Sequence, residues 1–225
     1  MLSDVEVIFL GINDAGMRVY DWLCDQDNIF MHSILTTKDQ LRIIKNVEPD
    51  YILSCGYQHI VPESILTIPT KGCLNLHPAY LPYNRGANPN VWSIIEGTPA
   101  GVTLHYMDPG IDTGDIVARR KVETAFSDSG KDLHKRLEDA QLELFQDVWS
   151  DILSDNISVV EQDENQGTYH QTSEFETLCE LNPDEEVRVK EFLDRLRALT
   201  FPPYNNAKIE IDDETYYVEV DITRK

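Results

Sequence analysis

Apolar and polar positions change period several times along the chain, and each change marks an element. Val5-Glu6-Val7-Ile8-Phe9-Leu10 is a near-continuous apolar run closed by Gly11, the pattern of a strand buried on both faces. After Asn13-Asp14-Ala15-Gly16, apolar residues at Met17, Tyr20, Leu23 and Cys24 follow a helical period. Residues 29–35 read as a second strand, 39–47 as a short helix and 51–56 as a third strand. This alternation predicts an α/β fold: a Rossmann-like, mainly parallel sheet with helices on both faces. Residues 116–122 read as a later strand. A long helix after Ser129 runs to about Ile152, with Leu133, Leu137, Ala140, Leu144, Val148 and Ile152 on one stripe, acids opposite and His134 on the surface.

Two further stretches carry polar residues in strand rhythm. In Cys73-Leu74-Asn75-Leu76-His77-Pro78 the leucines alternate with Asn75 and His77, so an amide and an imidazole share one face. Pro78 cannot donate to a central ladder and ends the strand with His77 at its tip. In 101–107, Val102, Leu104 and Tyr106 alternate with Thr103, His105 and Met107 before Pro109-Gly110 opens a loop holding Asp108 and Asp112. Asn75, His77 and Asp112 are expected to meet in one cleft at two neighbouring strand ends, with His105 a hydrogen-bonded support. Asn88-Pro89 is expected to cap a helix that Gly97 ends, with Arg85 just before it. Gly11 and Gly16 lack the close glycine pair of a dinucleotide fingerprint, so a tight turn is the expected reading there.

Composition narrows the function classes. The 225 residues hold 40 acidic against 19 basic side chains, a net charge of −21 that opposes binding to phosphate backbones. Cys24, Cys55, Cys73 and Cys179 lie far apart with no C-x-x-C pair, which points to reduced thiols in a cytoplasmic protein and to no metal site. No stretch approaches the ~20 apolar residues of a membrane span. Residues 161–225 hold 17 acids and 7 bases and read as a small C-terminal α/β extension of a main domain, residues 1–160. In it Asn182-Pro183-Asp184-Glu185 is expected to cap a helix with Val189, Phe192, Leu193, Leu196 and Leu199 on its core stripe. A Pro-Pro loop at 201–206 and a hairpin around Asp212-Asp213 follow.

Asn75-x-His77-Pro78, followed by Asp112-x-Gly114, resembles the folate-dependent formyltransferases. The strings HPAYLPYNRGANPNVW and RLRALTFPPYNNA look most like the branch that N-formylates amino sugars carried on nucleoside diphosphates. The resemblance runs from the opening strand to about Asn206. It implies transfer of a formyl group from 10-formyltetrahydrofolate to a primary amine. Asn75 would donate to the oxyanion, His77 would take the amine proton and Asp112 would orient the imidazole. It also implies Gln58, His59, Ile60 and Asp108 as folate neighbours, and Tyr80, Asn84, Arg85, Arg197 and Tyr204 as acceptor contacts. Two of these stay open: Tyr204 either stacks on the base or packs under the hairpin, and Arg197 either reaches the pyrophosphate or ties its loop. The implied acceptor is a dTDP-linked 3- or 4-amino-dideoxyhexose for surface polysaccharide such as lipopolysaccharide, on a homodimer joined through the tail hairpin. The rivals are a formyltetrahydrofolate hydrolase, a non-catalytic folate-binding module, and transfer to glycinamide ribonucleotide or initiator tRNA, the last opposed by the acidic tail.

Overall fold

The computed structural model describes residues 4–11, 13–163 and 165–225. In chain order the elements are β1 (Val5–Leu10), α1 (Asp14–Cys24), β2 (Ile29–Leu35), a 3-10 turn (Lys38–Ile43) running into α2 (Ile44–Val47), β3 (Tyr51–Ser54) and α3 (Glu63–Leu66). Then come β4 (Gly72–His77), β5 (Arg85–Gly86), α4 (Pro89–Glu96), β6 (Gly101–Tyr106), β7 (Ile116–Lys121) and α5 (Gly130–Leu153). The chain finishes with β8 (Tyr169–His170), α6 (Thr172–Cys179), β9 (Glu180–Leu181), α7 (Val189–Leu199), β10 (Lys208–Ile211) and β11 (Glu214–Tyr217).

The main sheet has the order β2-β1-β3-β4-β6-β7. Its first four strands are parallel, as the βα alternation predicts, and β6 and β7 are antiparallel additions. Side chains alternate between two cores. Val7, Phe9, Tyr51, Leu53, Leu74, Leu76, Val102 and Leu104 face one layer with α1, α4 and α5, while Ile8, Leu10, Ile52 and Cys73 face a smaller one with α2 and α3. Asn75, His77, Thr103 and His105 alternate onto the face of the smaller layer, whose short helices cover less of the sheet. A polar cluster can stand there without breaking the main core.

Several expectations are corrected. The buried stripe of α1 is Ala15, Gly16, Val19 and Leu23, and Cys24 faces solvent. The shift arises because Gly16 packs on the carbonyl of Cys55, where a Cβ would come within 2.5 Å of the oxygen. Gly11 meets the same oxygen, so the two glycines serve a close strand–helix turn. Asn88 adopts a left-handed conformation (φ 53°) and makes no side-chain capping bond, so Pro89 alone opens α4. Helix α7 begins at Val189, because 182–185 closes its own turn through Glu185 N–H to Asn182 O. The first half of its expected core stripe is open to solvent, with Val189 76% and Phe192 39% exposed. His134 is half-buried, with Nε2 3.3 Å from Glu138 Oε1 and its ring edge-on to Phe201. The hairpin at 208–217 forms as expected, with Asp212 and Asp213 both at positive φ. Among the described residues no helix is long and apolar enough to cross a membrane.

Candidate active site

Strand pairing brings the first polar groups together. β4 and β6 run antiparallel with Asn75 opposite His105 and His77 opposite Thr103, so the four side chains stand on one face. His105 Nδ1 lies 2.7 Å from the carbonyl oxygen of Tyr106, which can only accept, so Nδ1 carries the proton. Its Nε2 lone pair then accepts from Asn75 Nδ2 at 3.2 Å. His105 is thereby the hydrogen-bonded support that its strand-interior position suggests.

Asp112 arrives by a different route from the one the strand pattern suggests. Because β6 is antiparallel to β4, the loop after Tyr106 starts at the far end of β4 and must double back to reach His77. Asp108 Oδ1 accepts from Gly110 N–H (3.0 Å) and Thr113 Oγ1 (2.6 Å), which tightens the bend. Gly114 passes so close to Tyr106 that a Cβ would lie 2.0 Å from its carbonyl oxygen. Asp112 sits at φ 55°. Its Oδ1 accepts from Asn75 Nδ2 at 3.3 Å and lies 3.6 Å from His105 Nε2. Its Oδ2 accepts from Gly86 N–H at 2.9 Å and lies 3.6 Å from His77 Nε2.

The charge states follow from these contacts. Burial opposes ionisation of Asp112, but His77 and the Gly86 N–H outweigh it and hold the carboxyl well below the ordinary carboxylate range. Burial lowers the pKa of His77, against opposing pulls from Asp112 and the carbonyl of Asn84. Near neutral pH the site therefore holds a carboxylate beside a neutral imidazole. His77 Nε2 faces two acceptors, Asp112 and the Asn84 carbonyl at 3.4 Å, so it carries the proton and the lone pair is on Nδ1. Asn75 and Asp112 stay partly exposed, so the cluster is not sealed from solvent. An amide donor, a neutral base and a fixed anion on one face suit addition of a nucleophile to a carbonyl.

Residues 23–149 match a family model described as Formyl transferase, and residues 174–224 match one described as N-formyltransferase dimerization C-terminal domain. The chain belongs to the formyl transferase family. It is 37% identical over 158 residues to a dTDP-4-amino-4,6-dideoxyglucose formyltransferase of Mycobacterium bovis, covering 70% of this chain and 66% of that one. A 4-N formyltransferase from Francisella tularensis superposes with a TM-score of 0.88 at 25% identity, over 98% of this chain and 99% of the other. PseJ from Anoxybacillus kamchatkensis, solved with UDP-4,6-dideoxy-4-formamido-L-AltNAc and tetrahydrofolate, gives 0.64 at 32% identity over 76% and 88%. The chain also matches methionyl-tRNA formyltransferases, and spans about half the length of those curated relatives, 46% in one and 64% in another.

Within this family member the other expected site residues are distributed unevenly. Gln58, His59 and Ile60 form an exposed edge beyond β3, Ile60 being 72% exposed. Among the described residues no main-chain hydrogen bond involves 57–60. Asp108 bonds its own loop. Arg85, on β5, has a buried Nε with no protein partner. Tyr204 is 64% exposed beside Phe201, which excludes packing under the hairpin.

Three of the expected acceptor contacts are engaged within the chain, and for Arg197 this is the loop-tying alternative. Asn84 is 1% exposed, and its amide is engaged by Thr98 and Thr168, so only its carbonyl reaches the cluster. Arg197 bonds Asp194 and the carbonyls of Ala125 and Asp128, so it ties the loop before α5. Tyr80 lies under the guanidinium of Arg119 at 4.5 Å, against Gly101. Two groups escaped the sequence reading altogether. The Gly86 N–H carries no side-chain signal, and Gln162, which bonds the carbonyls of Asp112 and Gly114, looks like any surface glutamine in an acidic stretch.

Proposed function

We propose that the chain transfers a formyl group from 10-formyltetrahydrofolate to the amine of a nucleotide-linked amino-dideoxy sugar, with a dTDP-linked 3- or 4-amino-hexose as the first candidate. The observation that carries this reading is the convergence of Asn75, His77 and Asp112 on one partly open face of the sheet. The folate co-substrate supplies an activated formyl carbon on a nitrogen leaving group. Asn75 Nδ2 keeps one N–H on His105 and turns the other from Asp112 Oδ1 to the formyl oxygen as negative charge builds on it, worth ~3–4 kcal/mol in comparable oxyanion sites. His77 takes the amine proton at Nδ1 while Asp112 holds its Nε2–H side and stabilises the cation that results. That proton then goes to the departing folate nitrogen as its bond to the formyl carbon breaks, leaving a formamide and tetrahydrofolate. The exposed 57–60 edge fits the pterin and Arg85 fits an acceptor phosphate.

The extension from 161 onward is read as contributing to the acceptor side and to a homodimer. In support, Ile211, Tyr216 and Tyr217 are exposed on the hairpin whose strand β11 has a free edge, and Val189 and Phe192 are exposed apolar residues of α7, all within the stretch that matches the dimerization model. The setting we propose is cytoplasmic synthesis of a formamido sugar for surface polysaccharide. Incubating the chain with 10-formyltetrahydrofolate and a panel of nucleotide-linked amino sugars should give a product heavier by one formyl group with at least one of them. Formate release without sugar product would instead identify a hydrolase, and no turnover on any acceptor would favour a folate-binding module.

A further inference from the structure

Three features outside the reacting groups are candidates for a further role: a cavity of about 400 Å³ against Arg197 and the first turn of α5, the buried His170 stacked on Trp92, and the strap formed by residues 160–163 and 165–170. The cavity mixes Lys131 and Arg197 with Asp132, Glu219 and Asp221 and selects no ligand charge. His170 belongs to the strap, and the strap touches every loop that shapes the cluster. Val160 exchanges two hydrogen bonds with Ile116, Gly167 packs on the carbonyl of Pro82, and the Thr168 hydroxyl bonds Asn84 and Glu96.

Two of its contacts converge on Asp112. Gln162, 8% exposed, donates Nε2 to the carbonyl oxygens of Asp112 (2.9 Å) and Gly114 (2.7 Å), so a single amide pins the Asp112 bend at both ends. Two carbonyl acceptors can be satisfied only by the NH2 group, which fixes the orientation of that amide. Further along, β8 pairs with β5 through Arg85 N–H to Thr168 O and Ala87 N–H to His170 O, both 2.9 Å. Alternation then turns the intervening Gly86 N–H to the opposite side, where it bonds Asp112 Oδ2 at 2.9 Å. The strap thus fixes the main chain of Asp112 directly and its carboxylate through Gly86.

We propose that Gln162 is a positioning residue for the proposed formyl transfer, holding Asp112 at the register from which its carboxylate meets His77. This rests on the reading that Asp112 serves His77 in catalysis. The groups facing His77 are Asp112, His105 and the carbonyl of Asn84, and of these Asp112 is the only anion. Retreat of its carboxylate removes the chief influence that raises the basicity of the ring.

The test is Gln162→Met, which keeps the length and removes both donors, with Gln162→Asn as a milder change that keeps the amide but shortens its reach. His77 is titrated by NMR in each variant of the 225-residue chain, and kcat and KM are measured on the acceptor found in the panel. We expect His77 to titrate at lower pH than in the wild type. The acid limb of the rate profile should move the same way and kcat should fall ~10- to 100-fold, as for a misplacement of about 1 Å, with KM values near wild type. Unchanged His77 titration, with a loss of rate no larger than the loss of folded protein, would overturn the proposal. If the wild type formylates no amine, the functional reading fails, while the His77 titration still decides whether Gln162 positions Asp112.

Discussion

Replacing Asp112 with Asn keeps the volume and removes the charge, and the geometry sets the cost. Oδ1 faces Asn75 Nδ2 and Oδ2 faces Gly86 N–H, so both oxygens accept from donors. An amide has one oxygen, and either orientation aims an NH2 at a donor that the carboxylate satisfied. One unmade bond at a buried donor costs ~1–3 kcal/mol. At ~2–4 °C per kcal/mol for a chain of this size, the melting point should drop by ~2–12 °C at neutral pH. Rate should suffer far more, because His77 loses the anion that stabilises its protonated form, a loss of ~10²–10⁴. The acid side adds a check. The folded carboxyl titrates below the ordinary value, so its charge stabilises the fold above about pH 4 and that stability is lost as pH falls toward the folded value. Asp112→Asn should therefore lose less stability than the wild type between neutral and acid pH. Formyl transfer assays with calorimetry at both pH values read all three effects. Near-normal turnover, with melting points that track the wild type at each pH, would refute this account of the site.

Two other outcomes follow from the same geometry. Because burial keeps His77 neutral, kcat/KM should stay level from neutral pH down past the ordinary imidazole value of about 6.5 and fall only at more acid pH, whereas a midpoint at or above that value would contradict a buried, neutral base. Gly114→Ala should cut kcat by roughly 10² and lower the melting point, because its Cβ would lie 2.0 Å from the Tyr106 carbonyl and must displace the Asp112 bend; normal turnover would show that the bend has room to move.

The parts of the fold legible in the sequence were those where one side-chain period decides the outcome. The apolar runs of β1 and β3 are covered on both faces, and the stripe of α5 packs on one. Asn75 and His77 were legible for the same reason, since alternation alone puts them on one face. The direction of β6 was not, because a period of two is identical in parallel and antiparallel strands. The route of Asp112 back over the sheet was hidden with it. The left-handed Asn88 and the solvent-open first half of α7 depend on neighbours remote in sequence. β5 and β8 are two residues each, and they exist only because the strap is anchored at Ile116, Pro82 and Asn84. Asn84 was expected at the acceptor from the resemblance and Arg197 was left open between the pyrophosphate and its loop, and burial commits both side chains to holding loops.

The pairing of cations bears on which acceptor suits this surface. Arg18, Arg120, Arg136, Arg188, Lys190, Arg195, Arg197 and Lys208 all lie against carboxylates of the same chain. Arg119 is held between the ring of Tyr80 and the carbonyl of Leu81. Gripping a tRNA means neutralising many phosphates, which a net charge of −21 opposes, and the eight cations already set against carboxylates would first have to leave those partners. A nucleoside diphosphate asks for far less, because its charge is confined to two phosphates that one or two local donors can match. Arg85 meets that need: none of its described contacts is a carboxylate, its Nε is buried without a partner, and its strand neighbour Gly86 bonds Asp112. Under the proposed reaction an anionic group bound at Arg85 would lie one residue from the backbone that holds the carboxylate, a spacing suited to a small acceptor whose amine is to reach His77.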